Sequence, residues 1–135
     1  MNKIKALYFK AGGENPEEIE IGRDDLDEKY KLLECSTIDI VRRRFFEKQF
    51  FVICDDEGLL KENNIPSAFY INEKEEIKPA LVGNLIICGI EGEDGELELG
   101  SLASEDVERI KRTMFSLIFK DQERGFFKAK AFLIN

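Results

Sequence analysis

The chain has no histidine in 135 residues. That absence excludes Ser-His-Asp triads, Cys-His dyads, His-ligated zinc and the H-E-x-x-H metalloproteases, all of which need an imidazole. Tryptophan is absent too. The three cysteines, Cys35, Cys54 and Cys88, are widely spaced and form no C-x-x-C pair. An odd, scattered set reads as reduced, mostly buried thiols rather than a disulfide frame. No apolar run approaches the ~20 residues needed to span a bilayer. The N-terminal stretch reaches Lys10 too early to hold a signal-peptide core. A cytoplasmic location is the expectation.

Hydrophobic residues make up 43% of the chain and charged residues 36%, with eleven Phe. This is the balance of a folded core under a heavily charged surface, and it excludes a disordered chain. The length fits one domain, so a single α+β domain over residues 1–135 is expected. Positive charge is scarce in most of the chain. Residues 1–108 carry 26 acids and 13 bases (−13), and residues 109–135 carry 2 acids and 7 bases (+5), which sum to the net −8. A field of that sign disfavours direct nucleic-acid binding, whose affinity comes from Lys and Arg on phosphates. It suits solubility, and a partner with a basic surface.

Lys3 to Phe9 reads as a first strand, and Glu18-Ile19-Glu20-Ile21 alternates as a second. Asp24 or Asp25 offers an N-cap to a helix over about residues 24–34, with acids first and Lys29 and Lys31 later, as the helix dipole favours. Thr37 to Arg42 and Gln49 to Cys54 form the clearest strand pair. Ser67 to Ile71 reads as a brief edge strand, and Asn72 to Pro79 as a charged loop. Val82 to Ile90 is apolar enough for a central strand, with Gly83 and Gly89 marking a bulge or close backbone approach. Glu96 to Leu99 alternates as an outer strand. Ser104, Val107, Ile110, Met114, Leu117 and Ile118 predict an amphipathic helix of about sixteen residues capped by Ser104. The fold class expected is α+β, with a mixed, mostly antiparallel sheet and two helices, the longer one C-terminal.

Several clusters invite chemistry. Asp55-Asp56-Glu57 offers three carboxylates at a strand end, but neighbouring strand residues face opposite ways, and a polar turn explains them as well as a Mg²⁺ site. Glu91, Glu93, Asp94, Glu96 and Glu98 crowd a Gly-punctuated turn that lacks the EF-hand pattern. Gly12-Gly13 belongs to neither phosphate-loop motif, and Glu14 would repel phosphate. Arg42, Arg43, Arg44 and Lys48 surround Phe45 and Phe46. Charge interleaved with aromatics can hold an anionic nucleotide, or form a hairpin end whose phenylalanines fold inward. Cys54 and Cys88 sit on the most apolar strands and read as inert. The stretch Phe126 to Ile134 can close the domain as a last strand or meet a second copy as a homodimer.

In combination, Gly13 to Pro16 before Glu18-Ile19-Glu20-Ile21, Asp55-Glu57-Gly58-Leu59-Leu60 after an apolar strand, Leu81 to Ile87 with its V-G-N, and Gly92 to Gly95 ahead of a helix form a familiar series. Over roughly residues 3–119 the chain resembles a domain-of-unknown-function family found in phages and conjugative elements of Gram-positive bacteria. Where that family is expected to carry an Asn-Arg pair, this chain has Asn64-Ile65-Pro66. The resemblance implies a mobile-element setting and no particular chemistry.

Two readings follow. The first is a non-catalytic accessory protein without cofactor or metal, binding a host macromolecule as a regulator or defence inhibitor. Its acidic face would comprise Glu18, Asp24, Asp25, Glu93, Asp94 and Glu96. The second is a small module that captures an anionic nucleotide-type ligand at Arg42, Arg43, Arg44 and Lys48.

Overall fold

A computed structural model describes residues 2–58, 65–93, 95–121 and 123–135, with the side chain of Asp121 left out of account. The described chain runs β1 (Lys3–Phe9), β2 (Glu17–Gly22), α1 (Leu26–Leu33), β3 (Ile38–Phe45), β4 (Lys48–Asp55), β5 (Pro66–Ile71), β6 (Ile77–Val82), β7 (Leu85–Glu91), β8 (Glu98–Gly100), α2 (Ser104–Lys111), β9 (Met114–Asp121) and β10 (Gly125–Leu133). The first sheet has the order β2-β1-β7-β4-β3, with β8 added to β7; the second has the order β6-β5-β10-β9. The pairings are antiparallel except β5 with β10. This is the expected α+β class with mostly antiparallel sheets.

The central strands of the first sheet are apolar on both faces because both faces are covered. Leu7 and Phe9 of β1, Phe50 and Val52 of β4 and Leu85 and Ile87 of β7 join Ala68, Leu81 and Phe132 of the second sheet and Val107 and Ile110 of α2 in one core. Edge-to-face contacts tie the sheets together there: Phe9 meets Phe132 at 5.1 Å and Phe45 meets Phe132 at 5.7 Å. The alternate residues, Ile4, Ala6, Ile53, Ile86 and Cys88, face the other way and bury Leu33 of α1. A strand sandwiched in this manner loses the polar-apolar alternation and reads as a continuous apolar run.

The structure departs from sequence expectation in four places. The helix expected over about sixteen residues ends at Lys111, so both helices have eight residues and the C-terminal one is not longer. Met114, Leu117 and Ile118 lie instead in β9, which pairs with β10 through eight registered residues from Met114–Phe132 to Asp121–Gly125. Phe115, Leu117 and Phe119 also recur at period two, and pairing with β10 outweighs the helical spacing. Ser104 is the first helical residue and Ala103 the N-cap, which makes no side-chain capping bond. The segment read as a loop to Pro79 enters β6 at Ile77. Pro79 is tolerated because β6 is an edge strand, while β5, expected at an edge, lies between β6 and β10. Gly83, at φ +89°, breaks the apolar run so that β7 begins at Leu85. Gly89 meets the expectation of a close approach, since a Cβ there would lie 2.5 Å from the Ser101 carbonyl oxygen.

The β3–β4 turn is unusual. Its two central residues, Phe46 and Glu47, both have positive φ (42° and 70°), where Asn or Gly is the ordinary choice. The Glu47 amide donates to Asn135 Oδ1 at 3.2 Å, Asn135 N donates to the Arg44 carbonyl at 2.9 Å, and Phe46 packs edge-on to Phe50 at 5.6 Å. These contacts hold a conformation that the residues themselves disfavour.

Candidate functional site

Eight large apolar side chains are exposed among the described residues, and six of them gather in two concave places, Leu26, Ile40 and Leu97 in one and Tyr70, Ile71 and Ile77 in the other. The remaining two, Ile118 and Phe126, lie on the β9–β10 hairpin.

The first place is a cleft of about 420 Å³ between the start of α1, the β3–β4 surface and β8. Leu26, Ile40, Phe51, Leu97 and Leu99 make its apolar lining, and its charged lining is Asp24 and Glu98 together with Arg23 and Lys29. Its shape follows from the β2–α1 turn. Asp25 caps α1 by accepting from the Glu28 amide at 3.1 Å, and Glu28 reaches back to accept from the Gly22 amide at 2.9 Å. This is a variant of the reciprocal capping arrangement that the D-x-x-E spacing encodes. Lys29 is buried, and its ammonium donates to the carbonyls of Gly22, Arg23 and Asp25 at 2.8, 2.9 and 2.9 Å. All three ammonium protons are thereby used. Burial lowers the Lys29 pKa, partly opposed by the nearby Cys88, Asp25, Glu28 and Asp24. With the turn fixed, Arg23 extends to the β7–β8 hairpin, 3.3 Å from Glu98 and 3.8 Å from Glu91. Asp24 and Glu98 thus line one cleft, and Arg23 joins it to Glu91.

The six residues of the expected acidic face divide accordingly. Asp24 is exposed on the cleft. Asp25 is committed to capping α1. Glu93 and Glu96 are exposed in the adjoining β7–β8 turn, closed by the Glu96 amide donating to the Glu93 carbonyl at 2.9 Å. Asp94 lies outside the described residues. Glu18 sits four residues along β2 from Gly22, roughly 13 Å away at strand rise, and does not belong to the cleft. The residues that sequence reasoning missed are Leu26, Ile40, Phe51 and Leu97. Their signal was three apolar side chains, Leu26, Ile40 and Leu97, on segments otherwise marked by charge, with Phe51 on an apolar strand, and only the sheet order brings them together.

The basic island does not converge. Arg42 and Arg44 are exposed on one face of β3, while Arg43 is half-buried on the other. Arg43 donates to the Arg42 carbonyl at 2.8 Å, and Arg44 to the Glu47 carbonyl at 3.2 Å. Lys48 is paired with the buried Asp106 of α2 at 2.6 Å. Because β3 is an edge strand, a run of Arg also has a plain structural use, discouraging another strand from pairing there. Asp55 accepts from the Glu57 amide at 2.9 Å, a local turn bond, and no group of three potential metal ligands occurs among the described residues.

Asn84, the Asn of the V-G-N segment, is a hub that sequence reasoning passed over. Its Oδ1 accepts from the Ala11 amide at 3.0 Å, and its Nδ2 faces the Leu32 carbonyl at 3.1 Å, Glu34 Oε2 at 2.9 Å and the Tyr8 hydroxyl at 3.3 Å. Tyr8 in turn donates to the Leu32 carbonyl at 2.9 Å, and burial with Glu34 and Glu17 nearby raises its pKa. This network fastens the end of α1 to the first sheet. Cys54 and Cys88 are raised by burial to about 11 and about 12, so they stay protonated, as their apolar strands implied.

No helix among the described residues is long and apolar enough to cross a membrane. No curated protein and no solved structure matches the chain. One family model does, over residues 4–114, which takes in the capped β2–α1 turn, the β7–β8 hairpin and Asn84 but leaves out most of the β9–β10 hairpin. On that match the chain belongs to the family described as a domain of unknown function, DUF3846.

Proposed function

We propose that the protein is a non-catalytic binding module that takes up a basic, amphipathic segment of a partner protein in the cleft between α1 and β8. The single observation that supports this is the conjunction of exposed Leu26, Ile40 and Leu97 with Asp24 and Glu98 in one concavity. An apolar floor with carboxylates beside it complements a helix or strand carrying apolar residues on one face and Lys or Arg beside them. The two cations that line the cleft are already engaged, Arg23 with Glu91 and Glu98 and Lys29 with three backbone carbonyls, while Glu93 and Glu96 are exposed in the adjoining turn. The resemblance to phage and conjugative-element proteins supplies the setting: an accessory protein acting in the cytoplasm on a host protein, as a regulator or an inhibitor of defence.

The test is capture from a Gram-positive host lysate with the wild type, Asp24→Lys/Glu98→Lys, Leu26→Asp and Glu18→Lys, followed by measured affinity for the captured protein. A partner of the cleft binds in a salt-sensitive manner, is lost with the double charge reversal and with Leu26→Asp, and is retained by Glu18→Lys. Equal loss with Glu18→Lys means diffuse charge rather than a site. Unchanged binding by Leu26→Asp overturns the reading.

A further inference from the structure

The second concavity is the larger, a groove of about 600 Å³, and it lies apart from the cleft. Tyr70 and the facing pair Ile71–Ile77 come from the turn end of the β5–β6 hairpin, Met114 from the start of β9, and Phe46 from the β3–β4 turn. Tyr70, Ile71 and Ile77 are 40%, 53% and 52% exposed, although each is large and apolar or aromatic. Its volume falls within the roughly 300–1,000 Å³ of small-ligand sites, which are mostly apolar with a few placed polar groups.

Two observations indicate what it holds. Arg112, at the end of α2, is the only charged side chain lining the groove among the described residues, and no carboxylate among them pairs with it. Arg109 stands close by, its guanidinium 5.8 Å over the Phe46 ring, and guanidinium beside an apolar surface favours an anion joined to an apolar body. Phe46 reaches the groove from a turn whose two central residues hold positive φ. Strain of that sort, kept in place by Asn135 and Phe50, is characteristic of binding sites.

We propose that this groove binds a medium-chain fatty acid, its chain lying against Phe46, Tyr70, Ile71, Ile77 and Met114 and its carboxylate on Arg112. The site is independent of the cleft between α1 and β8. The experiment is isothermal titration of the whole chain with decanoate, decanol and decylamine, each below its aggregation limit. Decanoate is expected to bind more tightly than decanol, and decylamine more weakly than either. Arg112→Gln weakens decanoate roughly tenfold, the loss of one charge-assisted contact, and leaves decanol unchanged. Ile77→Asp, at a half-exposed position on an edge strand, abolishes both. Absence of heat with all three probes overturns the proposal. So does equal binding of decanoate and decylamine, decanoate binding unaffected by Arg112→Gln, or binding that survives Ile77→Asp in a chain with unchanged circular dichroism.

Discussion

Replacing Lys29 with methionine tests the account of the β2–α1 turn most directly. The side chains are close in length, so packing is nearly preserved and the change is the loss of the ammonium. That ammonium serves three carbonyls, Gly22, Arg23 and Asp25, within 2.8–2.9 Å. A hydrogen bond to a charged group contributes about 1.5–3 kcal/mol net. Against the sum stands the desolvation of a buried cation, which the methionine variant escapes and which is visible as the lowered Lys29 pKa. Water can also reach some of the orphaned carbonyls, since only the Gly22 bond is fully buried. The balance is a loss of about 3–4 kcal/mol, a large part of the 5–15 kcal/mol that a domain has. Urea unfolding followed by circular dichroism would register it as a midpoint lower by roughly 1–3 M. The pH dependence has a fixed sign. With the folded pKa below the unfolded 10.5, the unfolded chain holds more protons between the two values, so this residue's contribution to stability rises with pH across that window and Lys29→Met lacks the rise. A loss under about 1 kcal/mol with an unchanged pH profile would refute the reasoning, because it would mean water replaces the ammonium without penalty.

Asn84→Ala removes the hub between the β1–β2 loop, the end of α1 and Tyr8, and should lower stability by about 2–3 kcal/mol in urea unfolding; Asn84→Asp should be no better, since its carboxylate faces Glu34. The buried thiols set an alkaline limit. Cys54 and Cys88 ionise at about 9 when unfolded but at about 11 and about 12 when folded, so the folded chain holds more protons above pH 9 and their contribution to stability falls there. The pair together should contribute about 2–3 kcal/mol of loss per pH unit between pH 9.5 and 10.5, and the double variant Cys54→Ala/Cys88→Ala should lack that slope in melts at matched pH, whatever its baseline.

Sequence alone determined the strands and turns whose instructions are local. β1, the β2 alternation, the β3–β4 pair and the Asp25 cap of α1 lie where residue pattern and capping chemistry put them, and the missing histidines restrict the chemistry open to any fold of this chain. Tertiary structure decided what two local patterns left ambiguous. Met114 to Phe119 satisfies both helical and strand spacing, and eight pairs with β10 chose the strand. Pro79 reads as a loop unless β6 is known to be an edge. The sites were less legible still. Glu93 and Glu96 are visible as acids, but Leu26, Ile40 and Leu97 become one surface only because β7 lies beside β4 while β8 pairs with β7. The groove around Tyr70, Ile77 and Arg112 joins segments more than thirty residues apart. Backbone chemistry acts between near neighbours and is written residue by residue. A concave surface depends on which distant strands are adjacent, and that is settled by burying both faces of the first sheet at once.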